Sequence, residues 1–183
     1  FLQCAADAPH ALPAMPHEPR LDQSLRQLLY SRRTAALATL QAAAAADGAA
    51  QQPVMPAVSF VPYAIHQAAG ILVIHVSALA AHTRNLQQSP MVSLLIAAPE
   101  QAQQPVHALE RVTLFGRATV LAAQEAAESR QAYLRRFPEA GPMTALGDFR
   151  FVQIAPLGAR HVAGFGAARD LSAEEFIALL APR

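Results

Sequence analysis

Gly70-Ile71-Leu72-Val73-Ile74-His75-Val76-Ser77 is followed, after four residues, by His82-Thr83-Arg84-Asn85-Leu86-Gln87-Gln88 and then by Pro90. The first run is apolar, of strand length and rich in β-branched residues, so it reads as a buried strand. The second is polar and reads as a short helix, His82 to Gln88, stopped by Pro90 because proline has no N–H to continue the ladder. Met91 to Ala98 is again a buried strand. The unit is therefore strand, short helix, strand.

Similar elements flank it on the N-terminal side. Val54 to Val61 reads as a strand, with Pro53 and Pro56 near its start or on an edge and Pro62 ending or bending it. Thr34 to Leu40 reads as a short strand, although Ala42 to Ala46 favours helix, and Asp47-Gly48 is the turn signal that separates it from the next. Leu21, Leu25, Leu28 and Leu29 recur at helical spacing and predict an amphipathic helix over Asp22 to Arg32.

On the C-terminal side, Gln101 to Pro105 is a polar loop. In Arg111 to Val120 the residues Val112, Leu114, Ala118 and Val120 share one face and Arg111, Thr113 and Arg117 the other, which is a half-buried strand. Gln124 to Phe137 reads as a helix with Glu125 and Glu128 near its start, Arg130, Arg135 and Arg136 near its end, and Pro138 as its stop. Phe149 to Ile154 and Arg160 to Phe165 read as two strands bracketing Pro156 and Gly158. Ser172 with Glu175 forms a capping box that opens a last helix through Leu180. Strands with inserted helices, and no regular alternation with long crossover helices, predict an α+β fold: a mainly antiparallel split β-barrel with peripheral helices.

At 183 residues the chain suits one domain, read as residues 21–183 behind a flexible Pro-rich leader, residues 1–20. With 53% hydrophobic and 15% charged residues, it should bury a large core and make extensive interfaces. A net charge of +1 gives no field to attract nucleic acid or an anionic membrane. The uncharged stretch from Gly48 to Thr83 is broken by Gln51, Gln52, Pro53, Pro56, Pro62, His66, Gln67 and Gly70, so it reads as paired strands and not as a membrane span. Cys4 has no partner for an internal disulfide, and residues 1–20 hold no apolar signal core, so a cytoplasmic location is expected.

Ser77, His82, Thr83, Arg84 and Asn85 cluster where a strand ends and a helix begins, where free N–H groups, hydroxyls and a guanidinium can converge on a phosphate. A solvated first helical turn is the alternative reading. Arg111 can reach a ligand or partner subunit from the outer face of its strand, or simply be exposed; Ser59 can present a hydroxyl to the same ligand. The seven histidines form no H-x-H, H-E-x-x-H or Cys/His cluster, so no metal site is expected, and His75 reads as a hydrogen-bonded structural histidine. There is no G-x-S-x-G of a serine hydrolase, and Gly164-Phe165-Gly166 reads as a bulge or sharp bend.

Four segments together resemble the pyridoxamine 5'-phosphate oxidase-like, FMN-binding split-barrel family, and within it the haem-utilisation branch. They are Pro56 to Tyr63; Ile74 to Ser77 with His82 to Leu86; Glu110-Arg111-Val112; and Gly164 to Ala167. The resemblance covers about Leu25 to Ala168. It implies a homodimer with FMN between subunits, the phosphate near Ser77, His82, Thr83, Arg84 and Asn85, the isoalloxazine ring against Ser59, Phe60 and Val61, and Arg111 approaching from the neighbouring region. The implied activity is an FMN-dependent oxidoreductase of unassigned substrate; haem binding or utilisation, and a non-catalytic FMN sensor or storage dimer, are the alternatives. Pyridoxamine phosphate oxidases of that family carry a C-terminal Arg-x-His pair for substrate, and nothing after Gly166 matches it; the haem-utilisation branch carries a haem-binding histidine beyond Gly-Phe-Gly, and this chain has no His after His161.

Overall fold

The computed structural model describes residues 17–42 and 54–182. The Asp47-Gly48 turn signal, Cys4 and most of the leader lie outside them. Helix α1 (His17–Ser31) begins ahead of the predicted Asp22 and takes in the last residues of the predicted leader. Pro19 does not prevent this, because the N–H groups of a first helical turn have no intrahelical partner to lose. Its leucines do what their spacing predicted: Leu25, Leu28 and Leu29 are all buried.

Strand β1 (Thr34–Ala42) pairs antiparallel with β2 (Val54–His66), which runs straight through Pro62 instead of ending there. The proline removes no ladder bond. Pro62 opposes Thr34, the first residue of β1, while the N–H of Tyr63 reaches back to the Arg33 carbonyl at 3.1 Å and pairing with β3 (Ile71–Ser77) begins only at Tyr63. Before β3, Gly70 stands at φ 64°, and a Cβ there would lie 2.6 Å from the Ile177 side chain, so both conformation and space require glycine.

Helix α2 (Ala81–Gln88), β4 (Met91–Ala97) and β5 (Arg111–Val120) follow, with bounds close to those predicted. The predicted helix Gln124–Phe137 is instead a 3-10 turn, Ala123–Glu125, and a separate α3 (Ala127–Arg136). The break falls at Ala126, at ψ −4°, and that alanine is buried in the cluster that holds Val73 and Phe151. The two strands predicted around Pro156 are one long strand, β6 (Phe149–Gly164). There the sheet forks: β6 pairs with β3 through Ile154 and with β7 (Ala167–Ser172) from Gly158, and the register against β5 slips by one residue at Leu157. Pro156 thus sits at a bulge, where a missing N–H is tolerated. Gly164-Phe165-Gly166 is the hairpin turn from β6 to β7, with Gly164 and Gly166 at φ 155° and 76°. The Ser172–Glu175 capping box opens α4 (Ala173–Leu180) as read, with the Glu175 N–H donating to Ser172 Oγ at 3.2 Å and the Ser172 N–H to the Glu175 carboxylate at 2.7 Å.

The strand order is β3-β2-β1-β4-β5-β6-β7, every pair antiparallel, and β6 returns to β3 to close the ring. Leu37, Leu94 and Leu114 stand opposite one another on successive strands and are fully buried inside the ring. Helices α1 and α4 add Leu25, Leu29, Phe176 and Leu180 to the same core. A second cluster lies outside the wall, where α3 covers β2, β3 and β6 through Ala64, Val73, Phe151, Tyr133 and Phe137. No helix among the described residues is long and apolar enough to cross a membrane.

Candidate functional site

The strand end and helix start singled out in the sequence do meet a residue from another strand. His82, in the first turn of α2, places Nδ1 3.1 Å from Ser59 Oγ of β2, across 23 residues of chain. Around this pair the helix is fastened to the barrel. Thr83 Oγ1 donates to the Ser77 carbonyl at 2.6 Å, and Asn85 Nδ2 donates to Thr39 Oγ1 at 2.9 Å; Thr83, Asn85 and Thr39 are all buried. These buried bonds satisfy groups that would otherwise be costly to desolvate. Ser77 Oγ accepts the Leu79 N–H at 3.2 Å, which turns the chain into α2. Arg84 is exposed, with one guanidinium N–H on the Leu79 carbonyl at 2.7 Å and the remaining donors free to face a ligand.

Burial lowers the pKa of His82, so its imidazole is neutral at pH 7 and contributes hydrogen bonding, not positive charge. Its Nε2 is buried without a partner. Arg84 is the cation of this cluster.

Strand alternation divides the other residues assigned to the site. Val61 is buried on the inner face with Ser59 on its side, whereas Phe60 points outward and is 74% exposed. Arg111 is three strands across the sheet from β2, a span of about 14 Å at the usual strand spacing, and it donates to the Leu109 carbonyl at 2.9 Å. Within one chain Arg111 therefore does not join Ser59 and His82.

The outer face that carries Phe60 is apolar over four strands. Phe60, Ala36, Leu95 and Thr113 stand in register across β2, β1, β4 and β5, and Val58, Ala38, Ser93 and Phe115 form the next row. Val58 is 70% exposed, and Leu40, Met91, Leu95 and Phe115 each about 40%. Arg111 lies at the edge of this face, on the same side of β5 as Thr113 and Phe115. A contiguous exposed apolar surface of this kind is a candidate interaction face.

Sequence reading missed a second polar cluster. Glu110 Oε1 accepts from Ser24 Oγ at 2.6 Å and lies 2.9 Å from Nε2 of the fully buried His161, joining α1 to β6. Burial pushes the Glu110 carboxyl up, but the His161 and Ser24 hydrogen bonds outweigh it and leave the group below its ordinary value. No spacing signal could reveal partners 51 and 86 residues apart. His75, expected to be hydrogen-bonded, instead stacks among Phe149, Phe151 and Tyr133, its Nδ1 unpaired. Among the described residues no group of three or more His, Cys, Asp or Glu is placed to hold a metal.

These shifts predict acid lability. His75 and His82 bind protons less readily folded than unfolded, so stability is lost as pH falls through the unfolded imidazole value of about 6.5. The lowered Glu110 adds a loss at more acid pH, as the carboxyl protonates. The thermal midpoint should fall steadily from pH 7 to pH 5, and His75→Phe should make that fall shallower; a flat profile over this range would contradict the burial argument.

Comparison with known proteins gives the same architecture. Over 125 residues, 66% of this chain, the sequence is 35% identical to the chloroplastic non-canonical haem oxygenase HOZ of Arabidopsis thaliana. A haem-binding protein from Mycobacterium smegmatis superposes with a TM-score of 0.72 over 90% of this chain at 30% identity. The haem storage protein HutZ of Vibrio cholerae, at 23% identity and a TM-score of 0.58 over 74% of this chain and 89% of its own, shares the fold. The chain spans 37% of the plant protein and 62% of the mycobacterial one. The family model described as CREG, β-barrel matches residues 22–178, from α1 through α4, and the chain belongs to that split-barrel family.

Proposed function

We propose that this chain acts as a homodimer that holds a planar, anionic cofactor beside its apolar sheet face, and that this cofactor is haem. The observation that carries the reading is the outer face of β2-β1-β4-β5, with Phe60, Val58, Leu95 and Phe115 in two registered rows and Arg111 at its edge. Two copies apposed through such a face would bury apolar surface like a core cut in half. A macrocycle with an apolar body and carboxylates on one side suits such a surface flanked by a guanidinium. The haem-related names of the Arabidopsis and mycobacterial relatives support the choice.

FMN is the second reading, favoured by the local arrangement at α2. The Ser59–His82 hydrogen bond, the helix N-terminus and exposed Arg84 have the chemistry of a phosphate cradle, while Thr83 and Asn85 spend their side-chain bonds inside the protein. Bound there, FMN would supply redox chemistry, and the protein residues would position it. Reduction of bound flavin by NADH or NADPH would then separate an oxidoreductase from a sensor or storage dimer.

One titration distinguishes the cofactors. Haemin added to the purified protein should give a Soret band that saturates, and Arg111→Ala should weaken binding about tenfold, the cost of one charge-assisted contact. A flavin band with no Soret band after adding haemin would overturn the haem reading. In that outcome Arg84→Ala should weaken FMN by a similar factor and Arg111→Ala should not.

A further inference from the structure

Outside the barrel wall, at the edge of α3, the chain forms a pocket of about 240 Å³, open on one side, that neither cofactor reading uses. His75 forms part of its wall, stacked on Phe149 with ring centroids 4.9 Å apart and against Phe151 at 4.4 Å. His75 is 8% exposed, and its Nδ1 is a buried polar atom with no hydrogen-bond partner among the described residues. Burial keeps the imidazole neutral, so one ring nitrogen donates and the other accepts, and Nε2, unlike Nδ1, is not sealed from the pocket.

Two guanidiniums complete the lining, and both are held in place by the protein. Arg130 Nε donates to Thr144 Oγ1 at 3.2 Å, and Arg150 Nη1 donates to the carbonyls of Gly147 and Phe149 at 2.7 and 2.8 Å. Each keeps unspent N–H donors. Neither meets a carboxylate among the described residues, and no Asp or Glu lines the cavity. The volume lies just below the roughly 300–1,000 Å³ of drug-sized pockets, which suits a ligand of one or two rings.

We infer that this cavity is a second ligand site, for a small aromatic carboxylate. The ring lies against the His75–Phe149–Phe151 wall, Arg130 and Arg150 take the carboxylate, and the His75 imidazole pairs with a polar ring substituent. The site is separate from the Ser59–His82 pair. His75 faces outward with Val73 beneath α3, whereas the neighbouring Ile74 and Val76 face the barrel core on the side to which Ser59 and Val61 turn. Its occupancy does not depend on whether the cofactor is haem or FMN.

The test is calorimetric titration of the full chain with 4-hydroxybenzoate, with 4-hydroxybenzamide as the uncharged control. Expected are one saturable site per chain, at least about tenfold weaker binding of the amide, and a similar loss in Arg130→Ala and Arg150→Ala. Arg150→Lys, which keeps the charge, should lose less than Arg150→Ala. Arg84→Ala should bind as the parent does, and saturating FMN or haemin should not displace the ligand. Unchanged thermal midpoints in the arginine variants identify the loss as one of binding. The inference is overturned by absence of saturable binding at millimolar ligand, by equal binding of the amide, by arginine variants that bind normally, or by displacement with either cofactor.

Discussion

The double substitution Val58→Glu, Phe60→Glu is expected to convert a dimer to a monomer in sedimentation velocity and to abolish saturable haem binding. Both side chains stand outside the ring, 70% and 74% exposed, so neither belongs to a core cluster among the described residues and the far-UV circular dichroism should not change. In a dimer each would be desolvated twice, once per subunit. Four carboxylates forced together at an apolar interface would cost several kcal/mol in total, because a buried charge without a partner is among the most expensive substitutions. The rows that cross this face give the effect its direction: Phe60 and Val58, on β2 at one side of it, are its most exposed large apolar side chains and share its rows with Leu95 and Phe115 two and three strands away. A parent that sediments as a monomer, or a variant that remains a dimer, would remove the proposed interface. Loss of haem binding in a variant that stays dimeric would instead assign the face to the cofactor alone.

Leu94→Ala is expected to destabilise the fold by about 3–4 kcal/mol, in the middle of the roughly 2–5 kcal/mol range for a buried leucine. Leu94 is fully buried in β4 and stands opposite Leu37 of β1 and Leu114 of β5, both equally buried. All three are held by ladder bonds on both sides, so the wall has little freedom to collapse into the space left behind. That loss is a large fraction of the roughly 5–15 kcal/mol of a typical domain and should appear as a lower denaturant midpoint with an unchanged slope. A loss below about 1 kcal/mol would mean that the ring closes around the cavity.

The contrast between these two substitutions follows what periodicity can and cannot reveal. Alternation assigned Val112, Leu114 and Ala118 to one face of β5 and Arg111, Thr113 and Arg117 to the other, and that is how the strand lies. It could not say that, among the described residues, no helix covers the outer face of the first half of β2 while α3 covers its later residues, since both halves are equally apolar. Proline signals misled for a related reason. Pro62 reads as ending or bending its strand, and Pro156 as lying between two strands, yet each sits inside one strand where it changes partner and no bond is required. Strand β7 was missed because Ala167-Ala168-Arg169-Asp170 has little β preference of its own; the Phe165-Gly166 hairpin and pairing with β6 impose the conformation.

The candidate site divides along the same line. By itself, the run from Ile71 to Gln88 determined a strand, a turn and a short helix, because strand length, β-branching and the Pro90 stop act through local sterics and hydrogen bonding. It also brought forward His82 and Arg84 as polar groups at a helix start. Only the tertiary structure decided that His82 would meet Ser59, that Thr83 and Asn85 would be spent on Ser77 and Thr39, and that Arg111 would stand apart at the edge of an apolar face. Those outcomes depend on which strands pair and which helix covers them, and strand pairing is fixed by the burial of the whole ring, to which every strand contributes and which no single stretch of the chain encodes.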